Sequence, residues 1–328
     1  MADSGPEIIY GAAGVARVST EELDEWLNIL QKHNVKSLDT AYAYPNSEVT
    51  LGQIGAPKKF AIHTKAPGLS PGSMSKQKIL EGMEKALKEL QVDRVDLYYL
   101  HAPDTGTPIE ETLSAIQELY AAGKFKRFGI SNYLPADVQK IYDIQASAHS
   151  VLPTVFQGNY NAVSRHVEDD LFPLLHKLGI SFYAYSPIAG GFLIKDSAQL
   201  RSKEVEGRFN GETWLKDMYT SLYGKESLYQ AVDQWGVIAK DAGISKAALA
   251  YRWITYHSAL SKEHGDGVIF GASKLSQLEE TLAAIDVGPL DAETAKRASG
   301  IWEAIKKDAP RDNYHDYMLV HQVHQIPK

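Results

Sequence analysis

Apolar positions along the chain alternate between two spacings. Short apolar runs of strand type are followed by longer stretches in which apolar residues recur every three or four positions, the period of an amphipathic helix. We predict eight strands, at Ile8–Gly11, Val35–Thr40, Phe60–Lys65, Asp96–His101, Arg127–Asn132, Thr154–Asn159, Ser181–Pro187 and Val268–Gly271. We predict helices between and after them, at Thr20–Leu30, Ser75–Leu90, Ile109–Ala122, Pro135–Ala146, Val167–Leu178, Ile244–Tyr256 and Leu275–Ala284, with a weaker one at Ser47–Ile54. This alternation indicates a parallel sheet.

Eight strand–helix units predict an α/β fold, a closed (β/α)8 TIM barrel. The alternative is an open, doubly wound sheet. However, the segment Gly11-Ala-Ala-Gly14 after the first strand lacks the G-x-G-x-x-G fingerprint of dinucleotide-binding sheets. We therefore expect residues 1–328 to form a single barrel domain, with the barrel core at about 8–288 and a C-terminal helix and tail at 289–328.

Two segments do not follow the alternation. Lys195–Gly224 is a long polar connection after the seventh strand, and long connections in compact domains are usually functional or mobile. The other segment begins at Asp291 and contains a helix at Ala292–Lys307 and a tail rich in His and Tyr. Either segment could cover the barrel mouth. Three tail histidines have no metal-ligand spacing and are expected in a flexible tail: His315, His321 and His324.

Composition narrows the range of functions. The chain is 44% apolar and 23% charged, which is typical of a globular protein, and its net charge of −7 argues against general nucleic-acid binding. It contains no cysteine, so it has no disulfide, zinc-thiolate site or thiol nucleophile. We see no signal peptide and no apolar run long enough for a membrane span, and we expect a cytoplasmic protein with neither nucleic-acid nor membrane partners.

Four chemically active residues fall at or just after predicted strand ends. These are Asp39 near the end of strand two with Tyr44 shortly after it, Lys65 at the end of strand three and His101 at the end of strand four. The carboxyl ends of barrel strands form the active-site face, so these side chains should converge. A lysine cation beside a phenol stabilises the phenolate, and a histidine can orient a carbonyl oxygen. The set predicts proton transfer to a carbonyl, with a reduced nicotinamide as the hydride source.

Several motifs resemble the aldo-keto reductase superfamily. The signature is Asp39-Thr-Ala-x-x-Tyr44 followed by Ser47-Glu48, and Lys65, His101, Ser131-Asn132, Gln157 and Tyr185-Ser186-Pro187 follow in the family's order. Three longer stretches are similar to the aflatoxin-aldehyde and succinic-semialdehyde reductase subfamily. They are Tyr98-Tyr-Leu-His-Ala-Pro-Asp-Thr-Gly-Thr-Pro108, Leu152-Pro-Thr-Val-Phe-Gln-Gly-Asn-Tyr-Asn161 and Gly207-Arg-Phe-Asn-Gly211.

The resemblance implies a role for each matching residue. Tyr44 would be the general acid, Asp39 and Lys65 would tune it, and His101 would orient the carbonyl. The nicotinamide carboxamide would be held by Ser131, Asn132 and Gln157, and its ring would stack on Tyr185. Contacts to the pyrophosphate would come from Ser186 and the backbone of Ile188–Phe192, with Pro187, Gly190 and Gly191 also among the cofactor-binding residues. The subfamily also implies a homodimer.

A site for the adenosine phosphate is implied after the eighth strand. Its residues would be Gly271, Ser273, Lys274, Gln277 and Glu280. Lys274 is the candidate for the 2′-phosphate, which points to NADPH (NADP) as the cofactor. The sequence departs from the family at Gln277 and Thr281, and its link from Glu48 to Phe60 is short.

The residues of the long connection have two interpretations. Arg208 could anchor a substrate carboxylate or the cofactor pyrophosphate through paired hydrogen bonds, or it could be a surface arginine. Trp214, Tyr219 and Tyr223 could line the pocket or pack a lid or core.

The leading hypothesis is reduction of a small-molecule carbonyl substrate, an aldehyde with a carboxylate or a dialdehyde, by NADPH. One alternative is a nucleotide-binding regulatory subunit resembling the β-subunits of potassium channels. Another is a metal-dependent barrel hydrolase, which typically has H-x-H or paired carboxylates after the first strand, and residues 8–14 contain neither.

Overall fold

A computed structural model describes residues 5–202, 207–210 and 214–322. Eight strands run through these ranges: β1 Glu7–Gly11, β2 Ser37–Asp39, β3 Ala61–Lys65, β4 Val95–Leu100, β5 Phe125–Ser131, β6 Pro153–Asn159, β7 Ser181–Tyr185 and β8 Gly267–Phe270. Each lies within two residues of its predicted bounds, because short apolar runs between turn signals define strands well.

Helices fill the connections of the described chain. They are α1 Thr20–Lys32, α2 Ser47–Gln53, α3 Lys76–Leu90, α4 Ile109–Ala121, α5 Pro135–Ser147, α6 Val167–Leu178, α7 Ser197–Arg201, α8 Trp214–Tyr223, α9 Glu226–Asp241, α10 Lys246–Tyr256, α11 Leu275–Asp286 and α12 Ala292–Ile305. Short 3-10 turns include Ala12–Arg17 and Ala189–Ile194, and a π-helical turn spans Tyr314–Met318. Within the described ranges, none of the helices is long and apolar enough to cross a membrane.

The strands close into a parallel barrel in sequence order. Each strand pairs with the next, and β8 pairs with β1 through Ile8 and Val268 among other positions. The predicted (β/α)8 barrel is therefore confirmed. Closure brings the carboxyl ends of all eight strands to one face, the barrel mouth, as the placement of the candidate residues requires.

Side chains alternate between the barrel interior and the layer beneath the helices. A small interior cluster is formed by Ile9, Leu97, Tyr99, Val155, Tyr183 and Ile269. Their strand neighbours, such as Tyr10, Tyr98 and Phe182, belong to the larger cluster that packs under the helices. This division follows from the two-residue period of a strand and leaves the interior filled by side chains rather than open.

The stretch between β7 and β8 differs most from the sequence prediction. The prediction gave it one helix and a long polar connection, but α7 and α8 lie within the connection and α9 follows it. The buried face of α9 carries Leu228, Ala231, Val232, Trp235, Ile238 and Ala239 at helical spacing. That signal was present in the sequence, but a second helix between two strands does not fit a strict strand–helix alternation.

Candidate active site

Asp39 and Lys65 form a buried ion pair at the barrel mouth. Asp39 ends β2 and Lys65 ends β3, so the barrel closure brings them side by side. The Lys65 Nζ donates to Asp39 Oδ1 at 2.5 Å and to the carbonyl oxygen of Thr40 at 2.8 Å. Both side chains are almost fully buried. A buried charge of this kind is tolerated because it is paired and hydrogen-bonded.

Hydrogen bonds of Thr40 and Ser47 hold the loop that carries Tyr44 in place. Thr40 and Ser47 hydroxyls lie 2.7 Å apart, and the Ser47 hydroxyl donates to the carbonyl oxygen of Ala12 at 2.8 Å. Next to them, buried Glu48 accepts a hydrogen bond from the Thr64 hydroxyl at 2.6 Å. The Ser-Glu pair of the signature therefore anchors α2 to the barrel and fixes the position of Tyr44.

Tyr44 lies between Lys65 and His101. The Lys65 Nζ is 5.1 Å from the centre of the Tyr44 ring, and the rings of Tyr44 and His101 meet edge to face at 5.8 Å. Tyr44 remains half-buried, so a molecule at the mouth can reach it, whereas His101 is buried. The four predicted catalytic side chains are thus brought together in one place.

Burial and charge act against each other on Tyr44. Burial raises the pKa of Tyr44, and the Lys65 charge and hydrogen bond oppose that rise without cancelling it. The sequence predicted the effect of lysine but not the larger effect of burial. The pKa of Lys65 is raised: burial lowers it, but Asp39 and Tyr44 more than compensate. Lys65 is therefore a permanent cation facing a protonated phenol.

His101 is held neutral. Burial, followed by the positive charge of Lys65, lowers its pKa to about 3. Its Nδ1 atom is buried without a hydrogen-bond partner in the part of the chain that the structure describes. Its backbone carbonyl accepts a hydrogen bond from Asn132 Nδ2 at 3.0 Å, which ties the end of β4 to the end of β5. A neutral imidazole can donate a hydrogen bond without carrying a charge.

The residues assigned to the nicotinamide also lie at this mouth. Asn132 has φ of 62°, a left-handed conformation that turns its side chain towards Ser131 and Tyr185. The Tyr185 hydroxyl donates to Asn132 Oδ1 at 3.0 Å. The Gln157 amide donates to Asp39 Oδ2 at 2.8 Å, so Gln157 links this group to the ion pair.

The loop after β7 contains the residues assigned to the pyrophosphate. It runs through Ser186, Pro187, Ile188, Gly190 and Gly191. Gly191 has φ of 103°, a conformation that favours glycine, and a Cβ added there would meet no heavy atom within 4 Å. Gly191 itself is buried. At Gly190 an added Cβ would overlap the ring of Tyr219. This glycine therefore makes room for Tyr219, a use that the sequence did not reveal.

Arg208 and the tyrosines of α8 lie at the rim of the mouth. The Arg208 guanidinium donates to the Tyr219 hydroxyl at 2.6 Å, and its charge reaches Tyr44, where it lowers the pKa. Arg208 is exposed, whereas Tyr219 and Tyr223 are buried and Trp214 is half-buried. The Tyr223 ring stacks on Phe192 at 5.1 Å. Packing, the second interpretation, therefore describes Tyr219 and Tyr223.

The residues after β8 form an exposed group. Gly271, Ser273, Lys274, Gln277 and Glu280 are all exposed. The Ser273 hydroxyl and backbone N–H donate to Gln277 Oε1, at 2.9 and 3.1 Å. Thr281 is buried and hydrogen-bonds towards Tyr251. With the free space beside Gly191 and the exposed Lys274 side chain, these residues fit the two ends of an anionic dinucleotide.

The C-terminal segment packs beside the mouth. The Tyr314 hydroxyl donates to the carbonyl oxygen of Pro103 at 2.9 Å, and the Ser164 hydroxyl donates to the carbonyl oxygen of Pro310 at 2.7 Å. Tyr314, Tyr317 and Met318 are buried. His315 bonds Asp312 at 2.8 Å, and His321 stacks on Tyr317, so the expected flexible tail is wrong for these two histidines. His324 lies outside the described residues.

The sequence profile of the aldo/keto reductase family matches residues 7–303. The chain belongs to this family. As a member of the aldo/keto reductase family it is an oxidoreductase that acts on carbonyl groups, and enzymes of the family generally use NAD(P)H.

Several relatives indicate the subfamily to which the chain is similar. Oxidoreductase sirO of Leptosphaeria maculans is 39% identical over 318 residues, covering 93% of this chain and 96% of its own length. Aflatoxin B1 aldehyde reductase member 2 of Homo sapiens is 40% identical over 293 residues, covering 83% of this chain and 79% of its own. Human aldo-keto reductase family 7 member A3 is 39% identical over 288 residues, covering 83% and 86%. The subfamily resemblance is thereby confirmed.

Two residues near this reductase site were not found from the sequence. Tyr99 lies in the barrel interior, 5.6 Å from the Lys65 Nζ to the ring centre, and Tyr251 is close to both Thr281 and Arg208. One of 18 tyrosines in a sequence carries no signal by itself. Among the described residues, no three His, Asp or Glu side chains cluster in a way that could hold a metal ion.

Proposed function

We propose that this chain reduces aldehydes to alcohols with NADPH, using Tyr44 as the proton donor. The observation that carries the proposal is the Lys65 ammonium, paired with Asp39 and 5.1 Å from the centre of the Tyr44 ring. When bound, NADPH supplies a hydride to the carbonyl carbon. The chain's own residues manage the oxygen of the carbonyl and its proton.

Each side chain has one task in this proposal. The neutral imidazole of His101 donates a hydrogen bond to the carbonyl oxygen and fixes its direction. The Tyr44 hydroxyl gives its proton to that oxygen as negative charge develops there. Lys65 stabilises the phenolate left behind, and Asp39 keeps Lys65 charged and in place. The phenolate charge is thus offset by an ammonium that is already positioned before the reaction.

The substrate class follows from Arg208. Its guanidinium donates a hydrogen bond to the Tyr219 hydroxyl, and its positive charge opposes the rise that burial causes in the pKa of Tyr44. A guanidinium pairs well with a carboxylate, so we propose aldehydes that carry a carboxylate as substrates. Dialdehydes are the other substrate class that we propose, because the subfamily resemblance implies them. The relatives named as aflatoxin B1 aldehyde reductases support the aldehyde class.

We assign the groups of the cofactor to the residues that the family resemblance implies. Ser131, Asn132 and Gln157 would hold the carboxamide, Tyr185 would stack on the ring, and Ser186 to Gly191 would take the pyrophosphate. Lys274, with Ser273, would bind the 2′-phosphate, because a dianion needs a cationic partner. This favours NADPH over NADH.

We also propose a cytoplasmic homodimer, and light scattering of the purified protein would give its oligomeric state.

The proposal is tested by following NADPH absorbance over a panel of small aldehydes, with NADH run beside it. We expect turnover with NADPH, and a loss of roughly 10²–10⁴-fold in kcat for Tyr44→Phe with unchanged NADPH binding. Tyr142→Phe, at a half-buried position on α5, is the matched control. Full activity in Tyr44→Phe would remove Tyr44 from the acid role. Tight NADPH binding with no turnover on any aldehyde would favour the regulatory-subunit alternative.

A further inference from the structure

Tyr99 shares one level of the barrel with Lys65. In the strand register, Lys65 of β3 lies opposite Tyr99 of β4, and Tyr99 lies opposite Gly129 of β5. Tyr99 belongs to the interior cluster, so its ring points into the barrel and is fully buried. The ring therefore forms part of the wall directly beside the buried ion pair.

Gly129 provides the space that the Tyr99 ring occupies. A Cβ at position 129 would overlap the ring at Cδ1. The φ angle of Gly129 is not in the left-handed region, so backbone conformation gives no reason for a glycine here. The reason is the close approach of the ring. The Tyr99 ring therefore packs directly against the backbone of Gly129.

The Lys65 ammonium lies close to two aromatic rings. Its Nζ is 5.1 Å from the centre of the Tyr44 ring and 5.6 Å from the centre of the Tyr99 ring. Asp39 and the Thr40 carbonyl bind two of its protons. The Tyr99 hydroxyl is buried and has no hydrogen-bond partner in the described part of the chain. The ring face, rather than the hydroxyl, is the part that acts on Lys65.

We propose that Tyr99 is a positioning residue whose ring holds the Lys65 ammonium against Tyr44, with Gly129 keeping that ring in place. The inference rests on the proposed function, since it assigns Tyr99 to the same proton transfer. A desolvated cation over an aromatic ring is held much more firmly than one in water. Lysine has a flexible stem, so without the Tyr99 ring the ammonium would be held by Asp39, the Thr40 carbonyl and Tyr44 alone.

The kinetic test compares three variants. Tyr99→Leu removes the ring, Tyr99→Phe keeps it without the hydroxyl, and Gly129→Ala displaces it without changing its chemistry. We expect Tyr99→Leu to lower kcat roughly tenfold with unchanged NADPH affinity. We also expect the alkaline limb of its pH profile to move to higher pH, because a displaced Lys65 lowers the pKa of Tyr44 less. Gly129→Ala should move the limb in the same direction, and Tyr99→Phe should match the wild type.

The matched control is Val155→Ala, which removes packing from the same interior cluster without removing a ring. We expect it to lower thermal stability and leave the alkaline limb in place. An unmoved limb in both Tyr99→Leu and Gly129→Ala would overturn the proposal. A limb in Tyr99→Phe that moves as far as in Tyr99→Leu would also overturn it. If Tyr99→Leu does not fold, Gly129→Ala and Tyr99→Phe decide.

A second readout does not depend on turnover. The Hε protons of Lys65, assigned by their loss in Lys65→Met, should show an upfield ring-current shift in lysine-labelled NMR spectra. We expect part of this shift to be lost in Tyr99→Leu and kept in Tyr99→Phe. If the wild type reduces no aldehyde, the proposed function fails, while this measurement still decides whether the ring holds Lys65. An equal Hε shift in the Leu variant and the wild type would overturn the positioning role.

Discussion

The imidazole of His101 and the ammonium of Lys65 are both buried at the barrel mouth, and their pKa values move in opposite directions. Burial lowers the pKa of His101 to about 3, and the Lys65 charge adds to that effect. The Asp39 carboxylate, 2.5 Å from the Lys65 Nζ, compensates the burial of Lys65, whereas burial and the Lys65 charge both act in the same direction on His101. One acidic partner thus decides which of two neighbouring bases carries a charge.

A pH profile tests the charge state of His101. Its folded pKa is lowered to about 3, so the imidazole is neutral from about pH 5 upwards and takes up a proton only well below that. We therefore predict that kcat/KM for aldehyde reduction has no acid limb from His101 between about pH 5 and 8. The comparison is with His101→Gln, which is slower but should keep the same shape. A wild-type limb near about pH 6.5 that disappears in His101→Gln would show that the imidazole titrates normally.

At the scale of elements, the loop between β3 and α3 is tied to the loop between β4 and α4 by one side chain. The Asp104 carboxylate accepts 2.8 Å hydrogen bonds from the backbone N–H groups of Gly72, Met74 and Gly106. It also accepts one from the Thr107 hydroxyl. Burial raises the pKa of Asp104, but these hydrogen bonds outweigh it and lower the pKa overall. The two loops therefore form one wall of the mouth.

Removing this carboxylate should loosen that wall. We predict that Asp104→Ala lowers the free energy of unfolding by about 1–2 kcal/mol, a value discounted because the side chain is only half-buried. The lowered folded pKa means that the contribution is present above about pH 4 and is lost as the pH falls through the folded value. Denaturant unfolding at about pH 7 and pH 3 measures both effects. Asp143→Ala, on the exposed face of α5, should change stability by less than about 0.5 kcal/mol at either pH. An Asp104→Ala loss that is equal at the two pH values would contradict this account.

Strands and helices could be predicted from the sequence where the spacing of apolar residues allowed only one structural interpretation. The strands and the helices α1, α3, α4, α5 and α6 follow directly from apolar spacing, because each buries one face against the barrel. The helices α7, α8 and α9 were missed because the alternation assigned a single helix to that connection. The packed C-terminal turn at Tyr314–Met318 was missed because its burial comes from contacts with loops far away in sequence, such as Tyr314 with Pro103.

At the scale of the whole molecule, barrel closure turns sequence order into a site. Asp39, Lys65 and His101 could be predicted to meet because consecutive parallel strands end at one face. The burial of Tyr44 could not be predicted in the same way, because it depends on how the loops pack over the mouth. That burial has the largest effect on the pKa of Tyr44. The contact of Tyr99 with Lys65 depends on the strand register and on a glycine, which has no side chain, at position 129. A sequence without coordinates shows neither.

In the proposed reaction, the Lys65 ammonium makes the Tyr44 phenol a usable acid at the barrel mouth. The direct measurement is the single-turnover rate of NADPH oxidation by Lys65→Met with saturating aldehyde, followed across pH, with the exposed Lys88→Met as control. We predict a rate at about pH 7 that is roughly 10²–10⁴-fold below the wild type, an alkaline limb displaced to higher pH, and unchanged NADPH affinity. A Lys65→Met rate and limb equal to those of Lys88→Met would contradict the account.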